Sequence, residues 1–134
     1  MASIADIEGI GPKYKEQLGT AGVKTTEGLL KAGASRSGRK NLAKESGLDE
    51  KQILKWVNMA DLFRVKGVGE EYSELLEAAG VDTVKELRNR KPENLHAKMV
   101  EVNEAKKLVR QTPSASQVES WVEHAKTLEP MVTY

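Results

Sequence analysis

The strongest constraint on the fold of this chain is an internal repeat. Residues 7–25 align with residues 65–83 at an offset of 58, and residues 52–60 align with residues 117–125 at an offset of 65. Self-similarity at a fixed spacing is typical of tandem supersecondary units. The repeat therefore predicts a tandem duplication, with one unit at 1–64 and a second at 65–134, and the change of offset indicates about seven extra residues within the second copy. The positions that recur from the first unit are Gly9, Gly11, Tyr14, Glu16, Leu18, Ala21, Gly22, Val23, Thr25 and Leu29.

Composition favours a helical protein in a reducing compartment. The chain holds no cysteine, which excludes disulfides and thiolate metal sites. Its N-terminus lacks the pattern of a secretory signal, and no apolar run reaches the ~18 residues that a membrane span requires. We expect a cytoplasmic protein that has no membrane partner.

Glycines, prolines and capping residues divide each unit into helices. In the first unit, Gly9-Ile10-Gly11 predicts a tight turn and Pro12 suits the first position of the next helix. The second unit predicts a long helix over roughly 92–110 and a last helix from the Ser114 cap to Pro130. The expected helices of the first unit are Pro12 to Gly22, Thr25 or Thr26 to Lys31, Ser35 or Ser37 to Gly47, and Asp49 to Arg64.

Two tryptophans occupy equivalent positions on apolar helix faces. Trp56 follows Ile53 by three residues, and Trp121 follows Val118 by three. An aromatic residue at helical spacing usually packs in a core, so we expect both indoles to be buried.

The repeated segment resembles a known family. Its pattern of apolar-x-Gly-apolar-Gly, followed by Ala-Gly-Val-x-Thr-x-x-x-Leu, is similar to the helix-hairpin-helix motif of DNA polymerases, ligases and branch-migration proteins. The continuation through Trp56 and Ala60 is similar to a smaller bacterial group of tandem helix-hairpin-helix proteins known only as a domain of unknown function. The resemblance implies an all-α fold in which duplicated, SAM-like helix-hairpin-helix units pack as one compact helical domain. It also implies sequence-independent binding to the backbone of duplex DNA.

The first glycine turn has the chemistry that such binding requires. Two glycines expose successive backbone N–H groups at the start of a helix, where the donors and the helix dipole suit a phosphate oxygen. The predicted site comprises Gly9, Ile10 and Gly11, with Ile10 anchoring the tip and with Lys13 and Lys15 close by. Glu8, just before the turn, weakens the attraction for an anion.

The second glycine turn departs from this chemistry. Gly67-Val68-Gly69 is followed by Glu70 and Glu71, which place two carboxylates where a phosphate would approach. These charges suit the helix N-terminus but repel an anion. We interpret the second turn as structural.

A second basic element is the cluster formed by Arg36, Arg39 and Lys40. Residues 1–64 carry eleven Lys and Arg against eight Asp and Glu, whereas residues 65–134 carry ten against twelve. The basic cluster therefore lies in the half better suited to a phosphate partner. The surrounding sequence also imitates a helix-turn-helix, although an ordinary connection within a helical bundle is the favoured interpretation.

No catalytic arrangement emerges from the sequence. There is no nucleophile–base–orienter set, no dinucleotide fingerprint and no partner for the Glu93-x-x-His96 pair, and we expect both histidines to face solvent. The chain is therefore expected to be non-enzymatic and to need no cofactor. The alternatives to DNA binding are a protein-interaction or self-assembly module that has lost phosphate binding, and an adaptor for a small anionic ligand.

Overall fold

The chain folds as a set of short helices, as the sequence predicts. The structure, a computed structural model, describes residues 3–7 and 9–133. Over these residues it contains a short 3-10 helix, Ile4–Asp6, and eight α-helices, and no named strand. The all-α prediction is confirmed. The helices are α1 Pro12–Thr20, α2 Thr26–Gly33, α3 Arg36–Ser46, α4 Glu50–Leu62, α5 Glu70–Ala78, α6 Val84–Arg88, α7 Pro92–Lys106 and α8 Ala115–Ala125.

These helices fall into two compact units. The described residues of Met1–Asp61 and Met131–Tyr134 form the first unit, and Leu62–Pro130 forms the second. The sequence predicts a boundary at 64/65 and assigns the whole C-terminus to the second unit. In the structure, α4 ends at Leu62, and the C-terminal tail belongs to the first unit.

The first unit is built around apolar side chains from its 3-10 helix and its longer helices. Ile4, Leu18, Leu29 and Ile53 each have no exposed surface. Trp56 is 1% exposed, which confirms its predicted place in the core. Burying side chains of this size stabilises the unit by about 1.5–3 kcal/mol each.

The second unit has its own core. Trp121, Val118 and Val122 of α8 are buried against residues of α5, α6 and α7. Trp121 is 2% exposed, so its predicted packing role is confirmed as well. The other members of the cluster include Leu75, Leu76, Val81, Val84, Leu87, Leu95 and Met99.

Two helices of the second unit are shorter than the sequence predicts. α7 ends at Lys106 because Lys107 adopts a left-handed conformation, with φ of 51°. The side chain of Asn103 then holds the following loop through two hydrogen bonds to the backbone of Val109, at 2.9 and 3.1 Å. α8 ends at Ala125, where the Thr127 hydroxyl donates to the carbonyl of His124 at 2.7 Å. Both helices therefore end before the apolar periodicity does, and side chains bond to the backbone near each end.

Candidate functional site at the first glycine turn

The first glycine turn, residues 9–11, has a defined backbone geometry. Gly9 has φ of +93°, a left-handed conformation that side chains disfavour. The Ile10 N–H donates to the carbonyl of Ile7 at 3.1 Å, and Pro12 begins α1. Gly11 is the N-cap of α1 in an extended conformation, with φ of −87°. The turn therefore leads the chain directly into the positive end of a helix dipole.

Three backbone donors at this helix start have no acceptor among the described residues. Gly11 has no side chain with which to cap the helix, whereas Thr25, Ser35, Thr83 and Ser114 cap α2, α3, α6 and α8. The first helical bond of α1 runs from the N–H of Lys15 to the carbonyl of Gly11 at 2.9 Å. No described acceptor receives the N–H groups of Gly11, Lys13 and Tyr14. Within residues 3–7 and 9–133, these donors therefore have no acceptor inside the protein.

Ile10 is buried and contributes no free donor. Its side chain is 6% exposed, and its N–H is used inside the turn. The anchoring role of Ile10 stays a prediction. The backbone donors without a described acceptor are therefore those of Gly11 and the residues that follow it, not that of Ile10.

An aromatic pair supports the turn from the core side. The rings of Tyr14 and Trp56 lie 5.2 Å apart at an angle of 56°. The Nε1 atom of Trp56 lies 3.5 Å from the point where a Cβ would stand on Gly9. The sequence predicts that Trp56 is buried, but no sequence signal indicates that its indole nitrogen faces the turn.

The second glycine turn, residues 67–69, repeats this geometry closely. Gly67 has φ of +92°, the Val68 N–H donates to Val65 at 3.1 Å, and the Ser73 N–H donates to Gly69 at 2.9 Å. The rings of Tyr72 and Trp121 lie 5.1 Å apart at 51°. The backbone of the second turn therefore has the same conformation as that of the first. The two turns differ in the charge of the side chains that follow them.

That charge difference is carried by exposed side chains. Lys13 and Lys15 are exposed on α1, whereas Glu70 and Glu71 are exposed in the first turn of α5. Glu8, which the sequence placed beside the first turn, lies outside the described residues. Within the described part, exposed cations follow the first glycine turn and exposed carboxylates follow the second, while the exposed Lys66 directly precedes the second.

Arg39 does not belong to an exposed basic cluster. It is 5% exposed, and its guanidinium donates to the carbonyls of Gly33, Ala34 and Thr133 at 2.9, 3.1 and 2.7 Å. The tail reinforces the arrangement, because the Thr133 N–H donates to the Ala34 carbonyl at 2.8 Å. The expectation that Arg39 faces a phosphate is therefore wrong, and the residue joins the C-terminal end of α2 to the tail.

Arg36 and Lys40 are exposed, but they are not brought to the glycine turn by a described contact. The hydrogen bond between α1 and α3 runs from Gln17 Nε2 to the carbonyl of Ser46, at 3.4 Å. Arg36 lies ten residues before Ser46 on α3, which corresponds to about 15 Å along the helix axis. Lys13 and Lys15 are thus the cations nearest in sequence to the open amides, and Arg36 and Lys40 form a separate basic element.

The two histidines are hydrogen-bonded and half-buried, contrary to the prediction that they face solvent. His96 Nε2 lies 3.0 Å from the carbonyl of Pro113, and the Lys66 N–H donates to His124 Nδ1 at 3.0 Å. No group of three or more His, Cys, Asp or Glu residues in the described ranges is arranged to hold a metal ion. None of the described helices combines the length and the apolar character needed to cross a bilayer.

Comparison with known proteins assigns the chain to a family. A model of the family described as a domain of unknown function, DUF4332, matches residues 8–128, so the chain belongs to this family. No curated protein and no solved structure matches the chain. The match covers both glycine turns and both tryptophans.

Proposed function

We propose that this DUF4332 protein binds the backbone of duplex DNA through its first glycine turn, without catalysis and without reading the base sequence. One observation carries the proposal: the N–H groups of Gly11, Lys13 and Tyr14 have no described acceptor at the start of α1. Backbone donors at a helix N-terminus are suited to phosphate oxygens. Lys13 and Lys15 are exposed in the first turn of α1, where their positive charge would favour a phosphate.

The matching geometry of the two turns supports a specific interpretation of the fold. Equivalent glycine conformations, turn hydrogen bonds and Tyr–Trp pairs occur at the predicted offset. We interpret the units as duplicated helix-hairpin-helix units, the class that the sequence resembles. In that class the turn contacts phosphates and carries no side chain that reads a base.

The chemistry of the turn explains both the binding and its lack of specificity. A phosphate oxygen would accept hydrogen bonds from the Gly11 and Lys13 amides while the helix dipole stabilises its charge. Ile10 is buried and apolar, so it offers no hydrogen bond to a base edge. One such turn would engage ~2–4 phosphates and give a dissociation constant of ~10⁻⁴–10⁻⁶ M.

Arg36 and Lys40 provide a second basic element in this proposal. Both side chains are exposed at the N-terminal half of α3. They would contact phosphates further along the backbone and steer the duplex toward the unit. Arg39 has no part in the interface, because its guanidinium is committed to three carbonyls.

The acidic second turn favours a second candidate function, a protein-interaction or self-assembly module. Glu70 and Glu71 would attract a basic partner, including the basic first unit of another copy. Among the described large hydrophobic side chains, Met131 at 36% is the exposed one, which argues against a broad apolar interface. A molecular mass that rises with concentration, without binding to duplex DNA, would support this second candidate.

A comparison of matched glycine variants tests the proposal. A Cβ on Gly11 or on Gly69 would meet no atom within 4 Å, and both glycines have extended backbones. Valine at either position should therefore fold and cover the adjacent amides. In fluorescence anisotropy at low salt with a labelled duplex, we expect Gly11→Val to weaken binding about tenfold and Gly69→Val to have no effect. Equal affinities for the wild type and both variants would remove the first turn from the interface.

A further inference from the structure

An open groove of about 540 Å³ lies beside α1 in the first unit. Most of its surface is apolar, and Ile4, Pro12 and Val23 contribute to it. Backbone pairing joins two of the segments that line the groove, because the Ile4 N–H donates to the carbonyl of Lys24 at 3.3 Å. The groove therefore belongs to the packed part of the first unit and does not depend on a loose loop.

Gly19 leaves room in this groove. It is the eighth residue of α1 and borders the groove, and a Cβ placed on it would meet no atom within 4 Å. A glycine within a helix is less favourable than most residues that carry a side chain. The space beside Gly19 is therefore free for a group that comes from outside the unit.

The second unit shows which group the equivalent position carries there. At the offset of 58 residues, Gly19 corresponds to Glu77, the eighth residue of α5. Glu77 is half-buried, and its Oε2 atom has almost no exposed surface. The second unit thus supplies a largely buried carboxylate where the first unit has an open groove.

The charges beside the groove favour the same group. Lys15 and Lys24 both border it, both are exposed, and neither ammonium group has an ion-pair partner among the described residues. Their equivalents in the second unit are Ser73 and Asp82, so the two cations are particular to the first unit. Glu16 also borders the groove, which leaves two ammonium groups against one carboxylate.

We propose that this groove binds an acidic segment of a partner protein, which inserts a glutamate side chain beside Gly19. The carboxylate of that side chain pairs with Lys15 and Lys24, and its methylene groups contact the apolar surface. A DNA strand is a poorer occupant, because its charged phosphates gain nothing from an apolar surface. The proposal does not rest on DNA binding, and it shares only Lys15 with the interface proposed above.

Two matched peptides test the proposal on the nitrogen-labelled full chain. The probe is acetyl-Leu-Glu-Leu-amide, and acetyl-Leu-Gln-Leu-amide is its uncharged control. We expect the glutamate peptide to shift the backbone amide signals of Gly19 and Lys24 and to bind about threefold to fivefold more tightly than the control. Lys24→Met should remove most of this preference, whereas Lys98→Met, at an exposed position of the second unit, should preserve it.

The other outcomes of the titration overturn the proposal. Equal binding of the two peptides would show that the groove recognises apolar groups alone. If neither peptide shifts these signals throughout the millimolar range, the groove is not a peptide site. If a short duplex shifts the Gly19 and Lys24 amides and the glutamate peptide does not, the groove belongs to the DNA interface.

A comparison of two variants at Gly19 leaves both lysines in place. Gly19→Glu and Gly19→Gln introduce side chains of similar size and similar helix propensity, so they differ mainly in charge. We expect Gly19→Glu to melt about 2 °C or more above Gly19→Gln, because its carboxylate takes the position proposed for the partner's glutamate. A melting temperature equal to or below that of Gly19→Gln would contradict the proposal, even if Lys24→Met fails to fold.

Discussion

The Nε1 atom of Trp121 lies 3.0 Å from the point where a Cβ would stand on Gly67, which is tighter than the 3.5 Å between Trp56 and Gly9. Both glycines also have positive φ, at +92° and +93°. A side chain would therefore be strained at either position by the backbone conformation, and at Gly67 its Cβ would also press on the indole of Trp121.

This difference predicts unequal costs for the same substitution. Gly9→Ala should lower the free energy of unfolding by about 1–2 kcal/mol, the cost of a left-handed conformation with a Cβ. Gly67→Ala should cost about 1 kcal/mol more, because the methyl group presses against a buried indole. Urea unfolding followed by circular dichroism measures both values. Equal costs would show that the indole of Trp121 moves aside freely.

Arg39 is predicted to stabilise the fold rather than bind DNA. Arg39→Ala removes the donor for three backbone carbonyls and should lower the free energy of unfolding by about 2–3 kcal/mol. Lys40→Ala, at an exposed neighbouring position, should change it by less than about 0.5 kcal/mol. Hydrogen exchange at the Thr133 amide should accelerate in Arg39→Ala alone. Unchanged exchange would indicate that the tail is held without Arg39.

The second glycine turn should gain phosphate binding when its charge is changed. Glu71 occupies the position equivalent to Lys13 at the offset of 58 residues, so Glu71→Lys gives the second turn the cation of the first. We expect duplex affinity at low salt to rise about threefold or more, as one further phosphate contact is formed. Glu101→Lys, an identical charge change at an exposed position of α7, controls for net charge. An equal gain in both variants would show that overall charge, not the turn, governs binding.

The salt dependence of binding should identify which cations contact phosphates. Loss of one phosphate contact lowers the slope of log affinity against log salt by about 0.9. We expect this change for Lys13→Ala and for Lys15→Ala, and a smaller one for Arg36→Ala and Lys40→Ala. Lys98→Ala, at an exposed position of the second unit, should leave the slope unchanged. A slope that responds equally to all five substitutions would indicate diffuse attraction without a defined site.

Local chemistry explains which parts of the structure could be predicted from the sequence. Pro12 begins α1, and Thr25 and Ser35 cap α2 and α3. Gly47 ends α3 in a left-handed conformation. The type of each residue predicts its position. These features depend on residues within one helical turn. They need no knowledge of the tertiary structure.

Other features depend on contacts between residues that are distant in the sequence. The burial of Arg39 requires the carbonyl of Thr133, 94 residues away, and no periodicity reveals it. The orientation of the Trp56 indole toward Gly9 likewise follows from how α4 packs, not from the spacing that predicts its burial. The sequence therefore predicted the open turn of the candidate site but not the tryptophan behind it.

Binding of duplex DNA at the first glycine turn can be located by titrating the nitrogen-labelled chain with a short duplex and following its backbone amide signals. If the first glycine turn binds phosphate, we expect the largest shifts at the amides of Gly11, Lys13 and Tyr14, with little change at Gly69 and Glu71. Shifts confined to other regions, or no shifts at duplex concentrations up to the millimolar range, would contradict it.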